Sequence, residues 1–161
     1  MEKIVRPTVY VETSIVSYLV AWPSRDLVRT AHQQVTRDWW ATRGNWHLFT
    51  SQFAVDEAAA GDPDAAANRL AALAEAELLD ITEEAILLAQ VLISGHALPS
   101  RARVDALHVA VAATHGMDYL VTWNCRHIAN AALRNNIEYL CRSQGYEPPV
   151  ICTPLELPKE K

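Results

Sequence analysis

The sequence predicts an α/β fold, a three-layer α/β/α sandwich with a central, mostly parallel sheet. Short segments rich in β-branched and aromatic residues alternate with longer segments whose apolar residues recur at helical spacing. This alternation is typical of βαβ units, whose helices cover both faces of a parallel sheet. The length of 161 residues, with 50% hydrophobic and 20% charged residues, fits one domain. We expect that domain over residues 1–155 and a short charged tail at 156–161.

The predicted strands are short apolar segments bounded by polar or turn residues. In chain order they are 8–11, 47–50, 78–81, 119–122 and 150–152. The first strand ends at Glu12, and Asn124 follows the fourth strand. Because ligands bind outside the carboxyl ends of parallel strands, we expect both residues at the functional rim of the sheet.

Each helix is predicted to begin after a residue whose side chain can cap its first turn. The predicted N-caps, in chain order, are Thr13 or Ser14, Ser24, Ser51, Asp62 with Pro63 behind it, and Thr82. Glycines mark most of the predicted helix ends, at Gly44, Gly61, Gly95, Gly116 and Gly145. A further helix carries Asp105, and the last long helix follows the fourth strand.

Asp105 is the most informative residue because it opens an otherwise apolar, alanine-rich helix. An unpaired charge is costly to bury in such surroundings. Glu12 and Glu57 also lie at the ends of predicted elements among apolar residues. If the fold unites these three acids, their repulsion is relieved by a divalent cation, and Mg²⁺ or Mn²⁺ prefers such oxygen ligands. The three acids are therefore candidate metal ligands.

Metal-dependent hydrolysis is the strongest chemistry that the motifs support. A metal held by carboxylates can activate a water molecule and stabilise an in-line displacement at phosphorus. The Gly-x-Ser-x-Gly elbow, the Gly-x-x-x-x-Gly-Lys loop and the His-Glu-x-x-His motif are all absent from the sequence. The net charge of −5 argues against a nucleic-acid-binding polycation but does not exclude a polyanionic substrate.

Four motifs resemble those of the PIN domain in their order and spacing. They are Val-Tyr-Val-Glu-Thr-Ser at 9–14, the Glu57 helix, Asp-Ala-Leu-His-Val-Ala at 105–110 and Leu-Val-Thr-Trp-Asn at 120–124. Over about Thr8 to Leu155, the chain is most similar to VapC-type toxins of type II toxin–antitoxin systems. The resemblance implies an Mg²⁺- or Mn²⁺-dependent ribonuclease that acts on RNA, a frequent homodimer, and a small antitoxin partner.

The resemblance also implies roles for individual residues. It gives Glu12, Glu57 and Asp105 as three metal-binding acids, Thr13 or Ser14 as a supporting hydroxyl, and Asn124 as the catalytic polar residue after the fourth strand. The chain departs from the family pattern twice. Glu12 stands where aspartate is usual, and the usual fourth acid is missing from the segment 124–127, Asn-Cys-Arg-His. We expect one metal to bind and a second to bind only weakly.

Several neighbouring residues have two interpretations. His108 lies on the helical face of Asp105 and either orients that carboxylate or is a packed, hydrogen-bonded histidine. His127 lies near the position of the missing acid and either binds a metal or phosphate or faces solvent. Arg101, Arg103 and Arg126 flank the predicted rim and are candidates for RNA phosphate contacts, although loop arginines are common.

The remaining sequence features predict a cytoplasmic protein. The N-terminus does not read as a signal peptide, and no apolar run is long enough to cross a membrane. Cys125, Cys141 and Cys152 lack Cys-x-x-Cys spacing and are expected to be reduced and packed. Adjacent Trp39 and Trp40 cannot both face the core, so one is expected on a dimer or antitoxin surface.

Two alternatives to the toxin stay open. The missing fourth acid favours a catalytically weak or inactive PIN-like module that binds RNA or protein. A metal-dependent nuclease of RNA processing, with no antitoxin, is the third possibility.

Overall fold

The structure is a computed structural model that describes residues 5–157. Within this range five strands form one sheet: β1 (Thr8–Val11), β2 (His47–Thr50), β3 (Glu77–Leu78), β4 (Tyr119–Val121) and β5 (Val150–Cys152). Their order is β3-β2-β1-β4-β5, and every neighbouring pair is parallel. The predicted α/β class is confirmed, and the sheet is parallel throughout.

Helices cover both faces of this sheet. The α-helices of the described range are α1 (Thr13–Val20), α2 (Leu27–Trp40), α3 (Gln52–Ala58), α4 (Pro63–Leu73), α5 (Glu83–Ser94), α6 (Arg103–Thr114) and α7 (Ala131–Ser143). Val9 and Val11 of β1 belong to a core cluster with α1 to α4, whereas Tyr10 belongs to a cluster with α5 to α7. Because successive strand residues point to opposite faces, this division confirms the three-layer sandwich. None of the helices described is both long and apolar enough to span a bilayer.

The third strand is shorter than predicted. Only Glu77 and Leu78 pair with β2, instead of the whole segment 78–81. β3 is the edge strand of the sheet and pairs only with β2. Both of its residues are exposed, so no helix covers them. The chain leaves the sheet after Leu79, whose backbone N–H donates to the carbonyl of Thr50 at 2.8 Å.

Two predicted helix caps are wrong. Glu12, rather than Thr13 or Ser14, caps α1, because its longer side chain reaches forward from the strand end to the backbone N–H of Ser14. Asp26, rather than Ser24, caps α2 by accepting the N–H of Arg29. The Ser24 hydroxyl accepts the N–H of Asp26 at 3.1 Å instead, and so supports the true cap.

The caps at Asp62 and Thr82 are confirmed. Their side chains accept the backbone N–H groups of Ala65 and Ala85. Ser51 precedes α3 as predicted, but its hydroxyl makes no capping bond because it contacts a buried tyrosine on β1.

The direction in which the chain crosses the sheet creates a crevice between β1 and β4. From β1 the chain moves to β2 and β3 on one side, and later returns to β4 and β5 on the other. Helices therefore leave the carboxyl ends of β1 and β4 toward opposite faces of the sheet. The crevice between these two strand ends is where α/β proteins of this topology bind ligands. The backbone N–H of Glu12 donates to the carbonyl of Val121 at 3.2 Å, which fixes Glu12 beside the residues that follow β4.

All three cysteines are free, as predicted, but Cys125 is exposed because it lies in the loop after β4, and only Cys141 and Cys152 are packed.

Within the predicted tail, Leu157 is buried against the core. Residues 158–161 of that tail lie outside the described part of the chain.

Candidate metal centre

Glu12 lies in a buried cradle of hydroxyl donors. Thr122 Oγ donates to its carboxylate at 2.5 Å, and both the hydroxyl and the backbone N–H of Ser14 donate as well. Each hydroxyl in turn accepts a backbone N–H, Ser14 from Trp123 at 2.8 Å and Thr122 from Asn124 at 2.9 Å. Because their acceptor sides are engaged, both hydroxyl protons point to the carboxylate. The cradle fixes Glu12 at the floor of the crevice.

Glu57 reaches the same crevice from the end of α3. Its Oε1 accepts from Thr13 Oγ at 2.8 Å and lies 2.6 Å from His108 Nε2. Partial burial acts to raise the pKa of Glu57, but the hydrogen bond and charge of His108, with the Thr13 bond, lower it below the usual 4.5. No residue within the described range donates to Oε2 of Glu57. This oxygen therefore remains available to a ligand.

His108 connects Glu57 to the interior of the sheet. Its side chain is fully buried on α6, and its Nδ1 lies 2.6 Å from the hydroxyl of Tyr10. That hydroxyl also contacts Ser51 Oγ at 2.7 Å. Burial, and then the nearby carboxylates, raise the pKa of Tyr10 despite its bond to Ser51, so the phenol stays protonated. The histidine is thus both packed and hydrogen-bonded, and it orients Glu57.

Glu12, Glu57 and His108 are close enough to hold one metal ion. A donor atom of each lies within 4.8 Å of a donor atom of the other two. Carboxylate oxygens and imidazole nitrogens are both common ligands of divalent metals. The residues present therefore fit a bound cation, and the free Oε2 of Glu57 supplies an oxygen that no protein group engages. The donor set by itself is compatible with more than one metal.

Asp105 lies in the first turn of α6, one turn before His108. Its Oδ2 is 2.8 Å from Nδ1 of His127, and the side chains of both residues are largely buried. Among residues 5–157, the group of three close donors does not include Asp105. The structure thus brings Glu12 and Glu57 together and places Asp105 in contact with His127, at the start of the same helix as His108.

Asn124 and His127 stabilise the loop after β4. The side-chain oxygen of Asn124 accepts the backbone N–H of His127 at 3.1 Å, and its carbonyl accepts from Ile128 and Ala129. The resemblance to the PIN domain assigns Asn124 a catalytic role. In the structure, the amide oxygen of Asn124 is engaged in this turn. His127 contacts a carboxylate and does not face solvent.

The candidate RNA-binding arginines lie on the surface. Arg101, Arg103 and Arg126 are exposed and form no ion pair with another described residue. They come from the short 3₁₀ turn before α6, the first residue of α6 and the loop after β4. All three are free to contact an anionic ligand.

The two adjacent tryptophans differ in burial, but neither is exposed as the sequence analysis expected. Trp39 is fully buried, whereas Trp40 is only partly buried, with the guanidinium of Arg43 5.0 Å from its ring centre. Trp123 is packed against the ring of His32, with ring centres 4.1 Å apart, and its indole N–H donates to Thr36. It serves as a packed side chain beside the crevice.

Three residues of the site are not identified by the sequence analysis. Thr122 has a usable signal, since it ends the predicted strand 119–122 at the same edge of the sheet as Glu12. Tyr10 and Ser51 have none, because a buried tyrosine on a central strand and a serine before a helix are ordinary. Their contact with His108 depends on packing between the sheet and α6.

Comparison of the chain with known protein families finds no match, and comparison with curated proteins finds none either. The function is therefore inferred from the geometry of the crevice and from the sequence motifs that surround it.

Proposed function

We propose that this protein is a metal-dependent endoribonuclease of the PIN type, the toxin component of a toxin–antitoxin pair. One observation carries the proposal. Two carboxylates from different elements, Glu12 and Glu57, converge beside His108 at the carboxyl-end crevice of a parallel sheet. This arrangement is what a hydrolytic metal site requires, and the four ordered motifs resemble those of PIN ribonucleases.

Mg²⁺ or Mn²⁺ is the proposed cofactor, because carboxylate oxygens predominate among the donors. Glu12 and Glu57 would hold it, with Asp105 available from the neighbouring turn of α6. When bound, such a cation lowers the pKa of a coordinated water and stabilises charge that develops at phosphorus. These are the two requirements of phosphodiester hydrolysis.

The chain's own residues prepare this site before a cation arrives. Thr122 and Ser14 fix Glu12, while Thr13 and His108 fix Oε1 of Glu57 and leave Oε2 open. Carboxylates held by partners of this kind lose little freedom on binding a ligand. The exposed arginines, Arg101, Arg103 and Arg126, would contact the phosphates of an RNA strand entering the crevice.

The proposed partners are an antitoxin protein and a second copy of the chain. Trp22, Leu27 and Val28 are exposed large hydrophobic residues at the junction of α1 and α2. Exposed large apolar side chains that lie close together in the sequence favour a protein-binding surface there. A cytoplasmic location belongs to the same proposal and is supported by the three free cysteines.

The experiment is cleavage of a mixed RNA pool that includes transfer RNA, in Mg²⁺, in Mn²⁺ and in EDTA. Wild-type protein is compared with Glu57→Gln, Asp105→Asn and the matched control Asp56→Asn, an exposed residue next to Glu57 on α3. We expect cleavage that requires metal, persists in the control and falls at least a hundredfold in the other two variants, on the order of what loss of a metal ligand costs. Equal cleavage by Glu57→Gln and wild type would overturn the assignment.

A second candidate function is RNA binding without useful catalysis. It is favoured by the loop after β4, where residues 124–127 contain no acid, Asn124 is engaged in a turn and His127 contacts Asp105. RNA binding that is unaffected by EDTA, with no cleavage by folded protein in either metal, identifies this function. Cleavage without an antitoxin-like reading frame beside the gene identifies an RNA-processing nuclease instead.

A further inference from the structure

Two arginines line a cavity that adjoins the candidate metal centre. The cavity has a volume of about 420 Å³ and lies between α1, α2 and α4. None of the described residues that line it is acidic, and its polar lining residues are Ser17, Tyr18, Ser24, Arg29, Gln33 and Arg69. In a chain whose net charge is −5, this cavity is a local concentration of positive charge.

Arg69 is held in place and still has hydrogen-bond donors to spare. Its Nε donates to the carbonyl of Ala58 at 3.0 Å, and its Nη2 donates to the carbonyl of Ala60. These carbonyls belong to the end of α3, directly after Glu57. A guanidinium has five N–H groups, so these two bonds leave three that no residue within 5–157 accepts. No carboxylate in that range forms an ion pair with Arg69.

Arg29 reaches the same cavity from α2. Its guanidinium carbon lies 5.6 Å from the ring centre of Tyr18 on α1, which is a cation–π contact. This contact orients the side chain without neutralising its charge, and no carboxylate of the described chain forms an ion pair with the guanidinium. Arg29 and Arg69 are therefore two oriented cations whose charges are available to a ligand in one cavity.

Hydrogen bonds link the wall of this cavity to the crevice. Ser17 Oγ donates to the carbonyl of Thr13 at 3.2 Å, and Thr13 Oγ donates to Glu57 at 2.8 Å. Tyr18, the next residue of the wall, packs against Trp123 beside the crevice, with ring centres 5.7 Å apart. Ser17 lies one turn of α1 beyond Thr13, so the cavity is separated from the carboxylates by about one helical turn.

A neighbouring cavity sets a limit to the cationic region. It shares Ala21 and Trp22 with the first cavity and is lined by Asp62 and Asp64. Because these carboxylates repel an anion, favourable contacts for an anionic chain extend from the two arginines toward the crevice.

The crevice lies between two groups of arginines. α1, α2 and α4, which carry Arg29 and Arg69, cover one face of the sheet, whereas Arg101 and Arg103 lie at the start of α6 on the other face. A polyanionic strand that crosses the crevice therefore meets cations in both helical layers.

We propose that Arg29 and Arg69 form a phosphate subsite, which binds the backbone of the RNA strand beside the metal centre on the side of α1, α2 and α4. The ligand is a phosphate group of a phosphodiester chain, and guanidinium groups bind such oxygens by charge-assisted hydrogen bonds. The identity of the chain as RNA rests on the proposed function, whereas the binding of a phosphate group does not.

Inorganic pyrophosphate tests the subsite without metal or RNA. Spectra of the ¹H–¹⁵N groups of arginine side chains, recorded on the full chain in EDTA, report which arginines contact the anion. We expect added pyrophosphate to shift the Nε–H signals of Arg29 and Arg69, but not that of Arg37, an exposed residue about two turns further along α2. Equal shifts at all three arginines, or no shift at Arg29 and Arg69, would overturn the proposal.

Variants show whether the charges themselves bind the anion. Arg29→Gln should weaken pyrophosphate binding by about tenfold, because it removes one charge-assisted contact. Arg37→Gln makes the same change of charge on the same helix and should have no effect. The Arg29 side chain makes no hydrogen bond within the described range, so this variant keeps the test valid if Arg69→Gln does not fold. Pyrophosphate binding by Arg29→Gln that equals wild type contradicts the subsite.

The salt dependence of RNA binding tests the link to the proposed function. Binding of single-stranded RNA is measured in EDTA, so that no cleavage occurs. For each arginine replaced, Arg29→Gln or Arg69→Gln, the slope of log affinity against log salt should become shallower by about 0.7, because one phosphate contact is lost. A purely structural role for Arg69 would lower protein stability and leave the slope unchanged. Arg37→Gln should keep the slope of wild type.

The two measurements separate the subsite from the nuclease. Pyrophosphate binding at Arg29 and Arg69 without any RNA binding supports the phosphate subsite and shows that the proposed RNA function is wrong. RNA binding and cleavage that persist, with salt slopes unchanged in both variants, overturn the subsite and leave the nuclease function standing.

Discussion

The hydroxyl of Thr122, which follows β4, donates to the buried carboxylate of Glu12, which follows β1, over 2.5 Å. The two residues end adjacent parallel strands at the point where the chain changes direction across the sheet. This bond ties the candidate metal centre to the topology of the fold. It fixes one carboxylate and leaves the second, Glu57, to approach from a helix.

Replacing Thr122 with valine should weaken metal binding. The substitution keeps the shape of the side chain but removes the proton donated to Glu12 and the acceptor for the Asn124 N–H. Loss of such a supporting group lowers metal affinity by roughly tenfold or more. Titration calorimetry with Mn²⁺ measures the change, and Thr122→Ser, which keeps the hydroxyl, should stay within a few-fold of wild type. Unchanged affinity in Thr122→Val would show that this bond does not prepare the site.

Acid should destabilise the metal-free protein partly through Glu57. Its folded-state pKa lies below the usual 4.5, so its ionisation stabilises the fold above about pH 4.5. This contribution is lost as the pH falls through the lower folded-state value. Urea unfolding in EDTA should therefore show a shallower acid-side loss of stability for Glu57→Gln than for wild type. The neighbouring Asp56→Asn is the control, and identical slopes for wild type and Glu57→Gln contradict the explanation.

The three cysteines should react at very different rates. Burial raises the pKa of Cys141 to about 11 and that of Cys152 to about 12, so almost no thiolate forms at pH 8. Burial also raises the pKa of Cys125, but this residue is exposed. Ellman's reagent should find one fast thiol in the native protein and all three after denaturation. Cys125→Ser should remove the fast phase, and three equally fast thiols would disagree with the structure.

Two tryptophans offer a matched pair for core packing. Trp39 is 0% exposed, whereas Trp22 is 90% exposed. Trp39→Ala should lower the free energy of unfolding by about 3 to 5 kcal/mol, because it leaves a large cavity. Trp22→Ala should change it by no more than about 0.5 kcal/mol. Urea denaturation measures both values, and a similar cost for the two changes would conflict with the burial described.

The fold could be predicted because its signals are local. β1 is apolar at every position but its first, as expected of a central parallel strand buried on both faces. The cap at Asp62 follows from two adjacent residue types. The caps at Glu12 and Asp26 could not be found in this way. The first helix is capped directly at the end of β1, one or two residues before the predicted Thr13 or Ser14, and the second is capped two residues after the predicted Ser24.

The site could be predicted only in part. The position of Glu12 at the end of the first strand places it at the rim, and Glu57 is recognisable as an acid among apolar neighbours. The pairing of Asp105 with His127, and of Glu57 with His108, depends on how α3, α6 and the loop after β4 pack together. Sequence separation carries no information about these distances, so the partners of each acid became visible only in the folded chain.

Anomalous diffraction at the manganese edge, from crystals grown with Mn²⁺, tests directly whether the crevice binds a metal. We expect one strong peak in the crevice, bound by carboxylate oxygens of Glu12 and Glu57 and absent from crystals of Glu57→Gln. Well-ordered crystals that show no peak there, or a peak that persists in Glu57→Gln, would contradict the assignment of this crevice as a metal centre.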